Sequence, residues 1–219
     1  LDVLRRELDV LASGGQSAYP LIARLDAEAV APFGLDLQPF YDLLSAFSQD
    51  VVKTRYGNFG ELVDYCRRSA NPVGRIMLAL YGKTDAVSVA QSDGICTALQ
   101  LVNFWQDVAV DWRKGRVYIP QDDLLKFGVA EEQIAAGRAD AAFQRLMAFQ
   151  CRRTFRMLRA GSPLAKELKG RIGLELRMIV LGAQMILQKL DACRYDVFAQ
   201  RPLLDKKDWL IMLKRAVWR

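Results

Sequence analysis

Apolar residues recur at three- and four-residue intervals along nearly the whole chain, and the strict alternation of a half-buried strand is almost absent. The pattern predicts an all-α protein. An opening helix ends near "ASGGQ", and a loop around "APFGLDLQP" precedes a helix from Pro39 whose inner face carries Leu43, Leu44, Phe47 and Val51. A turn at "YGNFG" leads into a helix through Tyr65, which Pro72 interrupts. The next element runs from Ala86 to Arg113. Gly115, Pro120 and Gly128 make "KGRVYIPQDDLLKFGV" a loop followed by a short helix capped by Asp122 or Asp123. Two long amphipathic helices follow, Ala139 to Ala160 and Pro163 to Leu190, and a last one spans Lys206 to Trp218. With no repeat, linker or low-complexity segment, one domain over residues 1–219 is the expected organisation.

The element from Ala86 is apolar almost all round, which marks it as central, yet it carries two acids one turn apart near its end. Gln100, Asn103, Asp107 and Asp111 fall at relative angles of about 0°, 300°, 340° and 20° on a helix of 3.6 residues per turn. They form one polar stripe. Two readings are open. In the first, Asp107 and Asp111 close a helix end and pair with Arg113 and Arg116. In the second, two carboxylates present oxygens to Mg²⁺, a hard ion that prefers carboxylate, water and phosphate oxygens. A diphosphate could then bind through metal and basic side chains, with charge stabilised as the leaving group departs.

Composition narrows the chemistry. The 219 residues are 52% hydrophobic, enough for a substantial core, and contain no histidine, which removes Ser-His-Asp and Cys-His catalysis and the commonest zinc ligand. The net charge of +6 favours an anionic partner, but no basic run lies beside stacking aromatics, so nucleic acid is not expected. Cys66, Cys96, Cys151 and Cys193 are dispersed and read as buried free thiols of a reducing compartment. No apolar run is long enough to span a bilayer, and no signal-peptide pattern is present; a cytoplasmic location is expected. "KKDWLIMLKRAVWR" suits either a membrane interface or a terminal core helix with a basic exposed face; the second reading is preferred. The pairs Arg67–Arg68 and Arg152–Arg153 read as solvated helix faces.

Gln100, Asn103, Asp107 and Asp111, followed by Gly115, Arg116, Tyr118 and Pro120, spell Q-x-x-N-x-x-x-D-x-x-x-D and then G-R-x-Y-x-P. This resembles the second aspartate-rich motif of the squalene/phytoene synthase family. "YCRRSANPVG" from Tyr65 to Gly74, "DVVKTRY" from Asp50 to Tyr56, and "RPLLDKKDWL" with Arg201 resemble further blocks of that family, in family order. The resemblance implies an isoprenoid synthase fold, a helical bundle around a central cavity. It also implies Asp107 and Asp111 as Mg²⁺ ligands. Gln100, Asn103, Tyr65, Arg55, Arg116 and Arg201 would line the polar end, with Ser69, Val73, Met77, Ile95 and Leu99 against the prenyl chains. An apolar wall suits such a substrate, which binds by area burial and whose carbocations must be shielded from stray water.

Three departures stand out. The family carries another D-x-x-x-D on an early helix, and none precedes Asp50; it is expected upstream of Leu1. Gln106 stands where the family commonly has Arg, and Asn71 and Pro72 stand where small or aliphatic residues are usual. The last two, with "NFWQDV", resemble the bacterial hydroxysqualene synthase branch of hopanoid biosynthesis. That implies ionisation of presqualene diphosphate and water capture, with Gln100, Asn103 or Tyr65 holding the water. Head-to-head synthesis of presqualene diphosphate, squalene or phytoene is the nearest alternative, and a non-catalytic scaffold is the alternative of another class. A lipid substrate is compatible with peripheral association at the inner face of a membrane.

Overall fold

The computed structural model describes residues 1–217. In chain order the helices are α1 Asp2–Ala12, α2 Pro20–Leu25, a π-helical turn Asp26–Val30, α3 Ala31–Phe33, α4 Gln38–Val52, α5 Phe59–Ser69, α6 Asn71–Leu80 and α7 Ala86–Gln106. They continue with α8 Val108–Arg113, α9 Gln121–Phe127, α10 Glu131–Ala135, α11 Ala141–Gly161, α12 Leu164–Glu167, α13 Gly170–Ala192 and α14 Lys206–Val217. The all-α expectation holds; the described residues form no strand beyond one isolated parallel bridge between Arg55 and Val117.

Helix α7 is the axis, packing against α5, α6, α11, α12 and α13. Its starting point is set by Asp85, whose carboxylate accepts the Ser88 N–H at 3.0 Å, and α11 starts the same way on Asp140, which accepts from Ala142 and Phe143. Asn58 opens α5 by accepting the Glu61 N–H, while Glu61 reaches back to the Gly57 N–H and pairs with Lys53. These caps lie within or just before segments whose apolar periodicity marks the helices. The core they enclose runs through Ile95, Leu101, Trp105, Phe143, Leu146, Met147 and Leu190, all essentially inaccessible to solvent.

Local punctuation departs from the sequence expectation at several points. A helical stretch covers Pro20–Phe33 before Gly34, in the left-handed conformation, ends it, so the "APFGLDLQP" loop is shorter than expected. On α4, Leu44 is buried, but Phe47 is 47% and Val51 77% exposed. The buried face is not the expected one: α4 turns Pro39, Leu44 and Ala46 inward, Leu44 against Leu8 and Ile22 of α1 and α2 and Ala46 into the main core, which leaves Phe47 and Val51 outside. Pro72 does interrupt, separating α5 from α6. Neither Asp122 nor Asp123 caps α9; Asp123 is buried instead and accepts from Arg153 at 2.6 Å and Gln150 at 3.0 Å. Burial of that acid draws its cation inward, so Arg153 is no solvated residue, and its guanidinium lies 3.4 Å from the Phe59 ring centroid. Arg68 likewise leaves solvent to bridge Asp64, Ser45 and Gln49, joining α5 to α4. The expected helix from Pro163 to Leu190 breaks at Leu168–Lys169, where Gly170 adopts φ +66°.

Cys66 and Cys151 are buried thiols, with burial pushing each up to about 12, while Cys96 and Cys193 are half-buried; none of the four forms a disulfide. Helix α14 turns Met212 and Ala216 onto Leu181 and Met185 of α13, leaving Trp209, Leu210 and Leu213 exposed. Trp218 lies outside the described residues. No described helix is long and apolar enough to cross a membrane.

Close approach of α7 and α11 depends on glycine. A Cβ at Gly161 would press on the Gln91 carbonyl and sit 2.8 Å from Ile95 Cγ1, whereas one at Gly94 would meet nothing nearer than 3.5 Å. Gly161→Ala is therefore expected to cost about 1–3 kcal/mol by forcing two helix backbones apart. Gly94→Ala is expected to be neutral or stabilising by up to about 1 kcal/mol through helix propensity. Paired thermal melts of the two variants check the contrast.

Candidate active site

Helix α7 ends where its polar stripe becomes acidic. Asp107 takes φ −104° and ψ 13° and separates α7 from α8, so the expected helix to Arg113 is broken by one residue. The hydrogen-bond ladder nonetheless continues, from the Asp107 N–H to the Asn103 carbonyl at 2.9 Å and from the Asp111 N–H to the Asp107 carbonyl at 2.7 Å. Asn103, Asp107 and Asp111 thus follow one another along one side.

The two acids differ in surroundings. Asp107 accepts two hydrogen bonds from Arg201, Nε to Oδ1 and Nη2 to Oδ2, and this pairing holds the guanidinium above its ordinary value. Asp111 is half-buried, and its nearest cation, Lys114 Nζ, stands off at 3.8 Å. Burial pushes the Asp111 carboxyl up, Lys114 opposes that shift, and the Asp107 charge adds to it. An under-compensated carboxylate one helical turn from a second is a hard-oxygen donor pair that fits Mg²⁺. Among the described residues no third His, Cys, Asp or Glu joins them, so the pair is part of a metal site rather than a complete cage.

The loop after α8 is fastened by the segment that precedes α5. Gly115 turns at φ +74°, the Val117 N–H donates to the Thr54 carbonyl, and the Gln121 N–H donates to the Tyr56 carbonyl, both at 2.9 Å. Hence "DVVKTRY" and "GRVYIP", distant in sequence, form one assembly. Arg55, expected at the diphosphate end, is committed to it: its guanidinium donates to both Glu131 oxygens at 2.7 and 2.8 Å and to the Gly115 carbonyl at 2.6 Å. Arg116 donates to the Asp50 backbone carbonyl at 2.9 Å and lies beside Tyr118. Below it, Phe104 stacks on Tyr118 at 3.8 Å, and Tyr56 and Tyr65 complete an aromatic cluster. Tyr65 is only 4% exposed, and burial, reinforced by the Asp50 carboxylate, pushes its phenol far up, so it remains a proton donor. Asp50 was named in the sequence only as part of a motif; its contacts across the fold give it this second role.

The apolar side of the site is a trough beside α7. One cavity of about 230 Å³ is walled by Val73 and Met77 of α6, Ile95 and Leu99 of α7, and Leu176 and Ile179 of α13. A wider groove of about 570 Å³ adjoins it through Leu99 and Ile179 and is lined further along by Asn103, Gln106, Leu203 and Trp209. Four of the five expected chain-facing residues are therefore in the trough. Ser69 is not: it closes α5, and its Oγ is buried without a hydrogen-bond partner among the described residues. Gln100 is half-buried on the same helix. The α13 wall escaped sequence reasoning because its apolar residues read as core. Gln106 also serves the fold, since its buried amide donates to the Pro202 carbonyl at 2.6 Å.

The comparisons agree with this architecture. Over 192 residues the chain is 37% identical to a hydroxysqualene synthase of Rhodopseudomonas palustris, covering 87% of this chain and 64% of that protein. It is 31% identical to a phytoene synthase of Arthrospira platensis over 218 residues, covering 92% and 69%. The chain thus spans about two thirds or less of the length of several curated relatives. Among solved structures it superposes on squalene synthase HpnC from Alicyclobacillus acidocaldarius with a TM-score of 0.83 at 33% identity, covering 89% of this chain and 73% of that one. The helices accordingly adopt the all-α isoprenoid synthase fold. The squalene/phytoene synthase model matches residues 1–208, and the chain belongs to that family.

Proposed function

We propose that the protein converts presqualene diphosphate to hydroxysqualene and diphosphate in a Mg²⁺-dependent reaction. The observation that carries this reading is the junction of an acidic pair, Asp107 and Asp111, with an apolar trough that begins one to two turns earlier on the same helix. Similarity to a hydroxysqualene synthase supports the branch.

Each part has a task. Asp107 and Asp111 would hold Mg²⁺, which when bound neutralises diphosphate charge as the leaving group departs. Arg201, already beside Asp107, would donate to diphosphate oxygens, a role suited to a guanidinium that never loses its charge. The trough buries the prenyl chains and keeps bulk water from the carbocation. In the reaction the C–O bond to diphosphate breaks, with its electron pair leaving on the phosphate oxygen. The cation rearranges, a water oxygen forms the new C–O bond, and the proton that water loses passes to the departing diphosphate. Asn103, at the polar end of the trough, is the side chain whose amide can hold the water.

Incubation with presqualene diphosphate and Mg²⁺, without NADPH, is expected to yield hydroxysqualene. Consumption of farnesyl diphosphate with presqualene diphosphate left untouched would establish a head-to-head synthase instead.

A further inference from the structure

We infer that Gln106 is a positioning residue for Arg201, acting through the Pro202 carbonyl. The inference rests on the proposed diphosphate role of Arg201 and adds to it the device that puts the cation in place.

The first part of the segment joining α13 to α14 is held by buried Val197 and by Phe198 against Phe143, but its last residues have little backbone pairing. Among the described residues, 200–204 take part in no backbone–backbone hydrogen bond, and regular structure resumes only at Lys206. Leu204 packs on the core, but Arg201 and Leu203 are exposed. Between them Pro202 is buried, and its carbonyl accepts from Gln106 Nε2 at 2.6 Å across 96 positions of sequence. Gln106 itself is 6% exposed, so its amide would be orphaned without that carbonyl, and the carbonyl without the amide.

Adjacent residues at one end thus grip adjacent residues at the other: Gln106 takes Pro202, and Asp107 takes Arg201. The two contacts differ in kind. The Asp107 bond is exposed and is the one that a diphosphate would compete for. The Gln106 bond is buried and involves no charge, so it persists when the ion pair exchanges. With it in place, Arg201 is confined near the carboxylate pair when released; without it, an exposed arginine on an irregular segment has wide rotamer freedom to lose on binding.

A double-mutant cycle read by calorimetric titration of inorganic pyrophosphate with Mg²⁺ tests this without turnover. Arg201→Ala is expected to weaken binding about tenfold, the loss of one charge-assisted donor. Gln106→Met, which keeps the shape and removes the donor, is expected to weaken it about three- to tenfold in the parent but less than about twofold in the Arg201→Ala background. Gln106→Asn, which keeps the pocket polar but falls one methylene short, is expected to match Gln106→Met and covers the case in which Met perturbs folding. An equal loss in both backgrounds, or no loss from either Gln106 variant, overturns the inference and leaves the role of Arg201 standing. Full affinity in Arg201→Ala overturns that role and the inference with it. Absence of Mg²⁺-dependent pyrophosphate binding in the parent protein overturns the proposed function itself.

Discussion

Asp111→Asn is expected to lower kcat/KM by about 10²–10⁴-fold, the scale on which removal of one electrostatic group from a charge-stabilising site is felt, while leaving Tm unchanged or slightly raised. The opposite signs follow from the same surroundings. Asp111 is half-buried, with Lys114 too far for a hydrogen bond, and its carboxyl is pushed above the ordinary 3.8 mainly by burial. A carboxyl whose proton is held more tightly in the folded state favours folding below pH 3.8, and that contribution disappears as pH rises through the folded value. At neutral pH its charge is therefore a burden on the fold, and asparagine, with the same shape and no charge, removes it. Mg²⁺ provides an independent readout. Saturating Mg²⁺ with pyrophosphate should raise the Tm of the parent protein by mass action and do so far less in Asp111→Asn. Survival of the protein's function in cells in both Asp111→Asn and Asp107→Asn would leave a scaffold as the better account of the chain.

Much of this site could be read from spacing because a helix converts sequence intervals into faces. The interval from Asn103 to Asp111 predicted one stripe, and the backbone ladder through Asp107 preserves it even though the helix formally breaks there. Val73, Met77, Ile95 and Leu99 came from the family resemblance rather than from spacing, and the fold sets them along one trough. What escaped depends on partners far away in the chain. Arg55 had been placed at the diphosphate end, but Glu131, 76 positions on, claims its guanidinium. Gln106 read as the loss of a cation, whereas its place beside Pro202 ties it to the segment that supplies one. Phe47 and Val51 have helical spacing from Leu44, yet the elements packed on α4 take Pro39, Leu44 and Ala46 inward and leave both exposed. Periodicity fixes the direction of a side chain; only the tertiary arrangement decides what meets it.

Trp105→Ala is expected to cost about 3–5 kcal/mol, a large fraction of the 5–15 kcal/mol that typically separates folded from unfolded domains. Trp105 is fully buried, and its indole N–H donates to Thr154 Oγ1 of α11 at 2.8 Å, whose hydroxyl in turn donates to the Gln150 carbonyl at 3.0 Å. Truncation opens a cavity between α7 and α11 that two rigid helices cannot close, and it removes the indole from the Thr154 hydroxyl. At about 2–4 °C per kcal/mol for a chain of this size, Tm should fall by about 6–20 °C, with a denaturation midpoint lowered at unchanged m. Thr154→Val, which keeps the shape but leaves the buried indole N–H without its acceptor, should cost about 1–3 kcal/mol, less than the truncation that also opens the cavity. A loss below about 1 kcal/mol for Trp105→Ala would contradict the buried placement of this ring. The effect should reach catalysis as well. Trp105 fixes α7 against α11 while its neighbour Phe104 fixes it against Tyr118, and the helix clamped between them delivers Asp107 two residues later.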